Sequence, residues 1–531
     1  LAVAVQAVRW ILRALPRHWP RRPELLADAP AFLRWSACRL ARAIRERELR
    51  SEDVVDACIR ALQAAAETNA IAVERFAEAR AEAAEADRRV AAAAAAGKLE
   101  ELPPFLGVPM LLKEAFEYPG LQYTNGLLAR KGQLGARKGP VVRRAEAAGF
   151  IFVASGNVSE ACMWMESYNP VYGRSSSPFD LSRTCGGSSG GTAAGVAALG
   201  APVGITADIG GSTRIPALFC GLFGHKPTGG LIANTGSHLG NFHGAVCRIC
   251  QPGVVTRHAE DLGRVIRLLS GPPEPEEDPV AAEYLPRPIW KEPPVDFKRL
   301  TVVPLSFRGG LPSSPVELLL SSVSAAAQEG QAQVVAWLAG QGCRVRPAYF
   351  EDLDVGTWFN TWADLNQTAG GPSFREVICQ GKRTFGLPEL LRYFLGASRH
   401  TVPALGLAFL EDAVEVFAPP RERRLAKAKE LKETLQAALG DYGVFVLPIL
   451  PRHAQRHDEP IWRLFDSSLT CVWNAMEFPA TAVPLGLDGR GLPVGLQLVS
   501  SSGLDELTLG LAAELERAGL ARCVAPGPLG A

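Results

Sequence analysis

Charge of one sign is nearly absent as a surplus. Lys and Arg number 56 and Asp and Glu 55, a net charge of +1. That leaves no electrostatic case for nucleic acid as a main partner. Long apolar runs are missing too. Residues 1–16 are apolar, but Arg9 and Arg13 interrupt them, and no other run reaches the ~18 residues that a membrane-spanning helix needs. No internal repeat is evident. The 11 cysteines are scattered, mostly in apolar segments, which excludes a disulfide scaffold and points to reduced thiols in a cytosol-facing chain. Cys247-Arg248-Ile249-Cys250 is a CxxC without a second pair at zinc spacing, so a structural role outweighs metal or redox work. None of the 8 histidines stands in an evident Ser-His-Asp pattern.

The chain holds material for a large core, at 47% hydrophobic and 21% charged residues. Its length allows about three domains or one large α/β domain. Residues 36–65 predict two helices, with Leu40 and Ile44 on one apolar face, Val54, Val55, Cys58, Ile59 and Leu62 on the other, and Ser51 as the second N-cap. Residues 76–97 are rich in Ala, Glu and Arg and predict a solvent-lining helix. Residues 106–112 read as a buried strand ending at Lys113. Helix 141–149, strand 150–154, helix 192–199 and strand 203–206 follow, an alternation that predicts an α/β fold with a mixed sheet covered on both faces. Residues 271–296 read as a Pro- and acid-rich linker. Beyond it the pattern predicts strand 300–305, helix 317–339, two apolar helices within 386–416, a basic amphipathic helix 421–439, strands at 444–448, 478–486 and 491–499, and a closing helix 505–518.

Chemistry concentrates between residues 186 and 228. Two glycine-flanked serine sites stand there, Gly186-Gly187-Ser188-Ser189-Gly190-Gly191 and Asp208-Ile209-Gly210-Gly211-Ser212, separated by a small-residue run. Glycine serves where backbone needs positive φ or a ligand comes close. Either stretch alone would pass for a flexible turn. Together they suggest backbone N–H groups and hydroxyls converging on one substrate. Upstream, Lys113 at the end of an apolar strand could snorkel to solvent. If buried instead, its pKa would fall from about 10.4 toward neutrality and the amine could serve as a base.

This whole stretch, with Gly107-Val108-Pro109-Met110-Leu111-Leu112-Lys113-Glu114, resembles the signature of the amidase signature family. The spacings also match, 75 residues from Lys113 to Ser188 and 24 from Ser188 to Ser212 (188 − 113 and 212 − 188). The segments 104–109, 159–164 and 221–227 resemble the fatty-acid amide hydrolase branch, its second vertebrate type in particular. The resemblance runs from about residue 31 to 525, with a signature core at about 105–260, and implies a single large domain around a twisted mixed sheet. It implies a Ser-cisSer-Lys triad: Ser212 as nucleophile, Ser188 as proton relay across a cis Gly187–Ser188 peptide, and Lys113 as base. It implies an oxyanion hole at Ile209, Gly210, Gly211 and Ser212, with Ser189 bracing the relay and Asp208 and Arg214 orienting the turn. No cofactor or metal is implied. Residues 64–68 depart from the family's usual Asn-Pro turn.

The implied substrate is a small-molecule amide, and in that branch a lipid one. Met163, Trp164 and part of 386–410 would line an acyl channel; the apolar helices there would otherwise be plain core. Residues 1–30, with Trp10, Arg13, Arg17, Trp19, Arg21 and Arg22, form a basic, aromatic segment that could lie on an anionic membrane or be a solvated helix. The resemblance therefore allows a cytoplasmic enzyme associated with membranes or lipid droplets, and a homodimer. A general or aryl amidase would share the triad without the lipid channel. The glutaminase-type subunit of a tRNA-dependent amidotransferase would need partner chains and a polar pocket. A non-catalytic docking receptor like that of the chloroplast envelope would have lost triad residues, and none is lost here.

Overall fold

Met110 and Leu112 pack into one apolar cluster and Leu111 into another. That period of two is a strand buried on both faces, and it runs from Pro109 to Lys113. The computed structural model describes residues 23, 25–26, 28–237, 246–271, 295–308, 315–370, 373–379, 387–395, 397–417 and 419–526. Most of the 1–30 segment expected at a membrane, including Trp10, Arg13, Arg17, Trp19, Arg21 and Arg22, and nearly all of the expected linker 271–296 lie outside them.

Among the described residues twelve strands make one sheet: β1 (Ile71–Glu74), β2 (Pro109–Lys113), β3 (Ile151–Gly156), β4 (Val203–Asp208), β5 (Phe223–Lys226), β6 (Gln251–Thr256), β7 (Thr301–Ser306), β8 (Arg344–Val345), β9 (Ala348–Tyr349), β10 (Gly443–Pro448), β11 (Ala480–Leu487) and β12 (Pro493–Val499). Their order is β1-β3-β2-β4-β6-β5-β11-β12-β10-β7-β8, with β9 also on β7. The pairs β2/β3, β2/β4, β7/β10, β7/β8 and β7/β9 are parallel and the remaining pairs antiparallel. The sheet is mixed, as the sequence predicts.

Both faces are covered. Helices α1 (Ala37–Arg45), α2 (Ser51–Ala64), α3 (Phe76–Ala96), α4 (Pro140–Ala147), α5 (Gly190–Ala197) and α6 (Arg214–Phe219) belong to the first part of the chain. Apolar residues of α1 and α4, with Val54 of α2 and Ala86 and Val90 of α3, join Met110 and Leu112, and Val55 and Ile59 of α2, Ala79 and Ala83 of α3 and apolar residues of α5 and α6 join Leu111. Every residue of α5 is buried. Small residues dominate it, GGTAAGVA, and at Gly195 the sheet is too close for a side chain: a Cβ there would stand 2.6 Å from Leu111 Cδ1. Lys113 shares the parity of Leu111 and therefore faces α5.

Two expectations need correction. Ser51 is not a cap; it opens the first turn of α2, its N–H donates to Asp87 and its hydroxyl to Gly107 O at 2.8 Å. The real serine cap is Ser36, which accepts from Arg39 N before α1. Helix 317–339 is two helices, α7 (Pro315–Leu319) and α8 (Ala325–Gly340), because Ser324 caps a fresh start by accepting from Ala327 N. The unusual segment 64–68 forms a short 3-10 turn, Ala66–Thr68. Asn69 follows it at φ 47° and donates from its amide to Tyr172 O and Arg174 O.

The second part supplies α9 (Val355–Thr368), α10 (Leu387–Phe394), α11 (Val402–Phe417), α12 (Arg421–Leu439), α13 (Ser468–Ala475) and α14 (Asp505–Arg517). The apolar side of α12, Leu431, Leu435 and Leu439, packs with Trp358 of α9 and Trp473 of α13. Among the described residues no helix is long and apolar enough to cross a membrane.

Candidate active site

Parallel strands β2 and β4 lie side by side and end at the same edge of the sheet, where open α/β sheets place their ligands. Lys113 closes β2 and Asp208 closes β4. The turn 186–189 delivers Ser188 and Ser189 at the start of α5, and the turn 209–213 leads from β4 into α6. Both expected serine sites and the expected lysine thus meet at one place.

Lys113 is wholly buried rather than snorkelling. Its Nζ donates to Ser188 Oγ at 2.8 Å and stands 3.4 Å from Ala207 O. The Gly187–Ser188 peptide is cis. Ser189 Oγ donates to Ala207 O at 3.3 Å, so Ser189 ties the turn to the end of β4. Ser167, which sequence spacing did not single out, accepts from Gly190 N at 2.8 Å and donates to Ser188 O at 3.4 Å.

The second turn is held by a buried ion pair. Arg214 Nε and Nη2 each donate to an Asp208 carboxylate oxygen at 3.0 Å, both residues being fully buried. Bidentate geometry of this kind fixes direction as well as distance. Arg214 also donates to Asn474 Oδ1 at 2.6 Å and Gln497 Oε1 at 3.0 Å, so α13 and β12 brace the turn from the far half of the chain. Burial pushes the Asp208 carboxyl up, but the Arg214 guanidinium outweighs it and holds the pKa down at about 2. Asp208 also accepts from the turn and from α13: Gly211 N–H donates to Oδ1 at 2.7 Å, Thr213 N–H to Oδ2 at 3.1 Å and Asn474 Nδ2 to Oδ1 at 3.0 Å. Gly211 N–H is therefore committed to Asp208, a departure from the expected four-donor oxyanion hole. The N–H groups of Ile209, Gly210 and Ser212 have no acceptor among the described residues.

A cavity of about 70 Å³ opens at Ser212, Gly210 and Gly187. Met163 and Trp164 line it together with Phe359, Trp362, Leu407 and Leu464. Leu407 belongs to α11, so the apolar 386–416 region does reach the site. Ala404, Leu405 and Ala408 of α11 are buried while Val402 and Phe409 are exposed. Two thiols, Cys162 and Cys471, also line the cavity. Burial pushes Cys162 up to about 11 against the pull of the Lys113 amine, and Cys471 higher still, so neither is a thiolate near neutral pH and neither competes as nucleophile. None of the eleven cysteines, the CxxC pair included, is in a disulfide.

Trp362, Thr470, Asn474 and Gln497 escape a sequence reading because they come from more than 150 residues away and no local pattern marks them. The turn they hold was legible, its holders were not.

The Amidase family model matches residues 53–509. Fatty-acid amide hydrolase 2-A of Danio rerio is 35% identical, with 97% of this chain and 95% of that protein covered. Fatty-acid amide hydrolase 2 of Homo sapiens is 34% identical, with 94% and 92% covered. Among solved structures, a bacterial aryl acylamidase of the amidase signature family shares the fold at a TM-score of 0.71 and 22% identity, with 91% of this chain and 96% of that one covered. Matched along most of its length by that family model and by relatives near one-third identity, this chain belongs to the amidase signature family and is an amide hydrolase.

Proposed function

We propose that the chain hydrolyses amides of fatty acids through an acyl-enzyme on Ser212. An amide needs an activated nucleophile, a stabilised oxyanion and a protonated leaving amine. Ser212 Oγ attacks the carbonyl carbon, and its proton passes through Ser188 to Lys113, which acts as base. The oxyanion is received by the unengaged N–H groups of Ile209, Gly210 and Ser212. The C–N bond then breaks as a proton returns through Ser188 to the amine. Water hydrolyses the acyl ester by the same route.

The observation that carries this reading is the buried Lys113–Ser188 contact of 2.8 Å beside a cavity at Ser212 walled by Met163, Trp164, Phe359, Trp362 and Leu407. Those walls suit an apolar acyl group and offer a glutamine side chain little, which speaks against the amidotransferase-subunit reading. The two relatives named as fatty-acid amide hydrolases support the lipid assignment. The cavity holds on the order of five waters' worth of space, so a long acyl chain must extend beyond it. Its aromatic walls also fit an aryl amide, the second reading. A series of primary amides from acetyl to oleoyl, with benzamide and an anilide, separates the two. The expected result is a kcat/KM rising at least tenfold from the shortest to the longest chain, and a flat or inverted series contradicts the lipid assignment.

A further inference from the structure

The turn after β4 carries two peptide planes whose orientation decides which N–H groups face a substrate. In a trans peptide the C=O and the following N–H point in opposite directions, so holding one aims the other. The C=O of Ile209 accepts the indole N–H of Trp362 at 2.7 Å. That contact turns Gly210 N–H away from α9. The C=O of Gly210 accepts the hydroxyl of Thr470 at 2.7 Å, and Gly211 N–H at the other end of the same plane donates to Asp208 Oδ1 at 2.7 Å. This second plane is pinned at both ends. The first is pinned at its carbonyl end, with its N–H left over.

The glycines follow from the closeness of these two side chains. A Cβ on Gly210 would lie 3.2 Å from Trp362 Cζ2. A Cβ on Gly211 would lie 2.6 Å from Thr470 Oγ1, at a φ of +128° that L side chains rarely adopt. Trp362 is further fixed by Phe359, whose ring centroid is 5.6 Å away. The Thr470 hydroxyl has a local competitor, Ser467 O at 2.9 Å, so Trp362 is the firmer of the two holders.

We propose that Trp362 and Thr470 are positioning residues that hold Gly210 from its two sides, Trp362 through the Ile209 carbonyl and Thr470 through the Gly210 carbonyl, and so aim Gly210 N–H as an oxyanion donor. Neither passes a proton or bonds the substrate carbonyl. The inference rests on the reading of that turn as the oxyanion hole. Its consequence is confined to the transition state, because only there does charge on the carbonyl oxygen draw fully on those N–H groups.

The test uses the full chain with a long-chain primary amide as substrate and the matching alkyl trifluoromethyl ketone, which forms a tetrahedral adduct with a serine hydroxyl. Trp362→Phe keeps a ring and loses the donor, Thr470→Val loses the hydroxyl, and Thr470→Ser restores it. Misaiming a donor by an ångström costs about 100-fold. The expected result is a kcat lowered about 100-fold in Trp362→Phe with KM changed little, the ketone's affinity falling in parallel, a smaller loss in Thr470→Val, and recovery in Thr470→Ser. A raised KM with unchanged kcat in Trp362→Phe would mean the indole only lines the cavity, and overturns the proposal. So does unchanged kcat with unchanged ketone affinity. If Trp362→Phe fails to fold, as judged by its melting curve, the valine and serine variants carry the same test. A Ser212→Ala control separates the two levels. Activity retained there removes the underlying reading, whereas an inactive Ser212→Ala beside wild-type behaviour in the holders removes only this inference.

Discussion

Glu114 follows Lys113 directly and turns away into its own network. Its carboxylate accepts from the N–H and hydroxyl of Thr124, both at 2.7 Å, from Asn125 N–H at 2.8 Å and from the Tyr172 hydroxyl at 2.8 Å. Asn125 O in turn accepts from Ala161 N–H, just before Met163 and Trp164. Burial raises the Glu114 pKa to about 7, although the bonds from Thr124, Tyr172 and Asn125 pull it down. A folded pKa raised above the unfolded value adds stability that is fully present below the unfolded pKa and is lost as pH rises through the folded one. Between about pH 4.5 and 7 the wild-type protein should therefore lose up to roughly 3 kcal/mol from this group. Glu114→Gln should flatten that decline in denaturant titrations repeated across pH, and an unchanged slope would contradict the assignment. Asp208 works in the opposite sense. Its lowered pKa contributes stability above the unfolded carboxylate range that is lost as pH falls toward 2.

Helices α10 and α11 are joined over a carboxylate. Glu160, buried on the turn Glu160–Cys162, pairs with His400 Nδ1 at 2.7 Å and accepts from Thr401 N–H at 2.7 Å. This fixes the start of α11, whose Leu407 lines the cavity. Outside it, Leu391, Tyr393, Leu395, Val402 and Phe409 are exposed. Removing the carboxylate takes the acceptor from the buried Thr401 N–H, a loss of about 1–3 kcal/mol. Glu160→Ala should accordingly speed amide exchange in residues 402–411 by about tenfold or more, read by hydrogen-exchange mass spectrometry. Unchanged exchange would mean that α11 is held by packing alone. Element boundaries also show where sequence reading succeeds. Helix α12 matched its predicted bounds because it is long, polar on one side and begins after Pro420. The break between α7 and α8 was missed because apolar residues continue through it, although serines at 321, 322 and 324 marked a capping site.

Across the whole molecule the site joins distant halves of the chain. Lys113, Ser188 and Ser212 come from the first half and sit at the edge formed by β2 and β4, where their glycine-rich setting made them legible. Trp362, Thr470, Asn474 and Gln497 come from the second half, on α9, α13 and β12, and hold the turn from outside. Their side chains look like ordinary core residues in sequence, and only tertiary packing gives them a partner. The sheet order could not be read either, because β11 and β12 insert between β5 and β10 from more than 200 residues beyond β5. The account as a whole stands on Ser212 being the nucleophile that Lys113 activates through Ser188. The most direct measurement is reaction of the full chain with an alkyl fluorophosphonate, followed by intact-mass analysis and peptide mapping. The account predicts a single adduct on Ser212, absent in Ser212→Ala and slowed at least 100-fold in Lys113→Ala. An adduct on another residue, or labelling of Ser212 at the wild-type rate without Lys113, would contradict it.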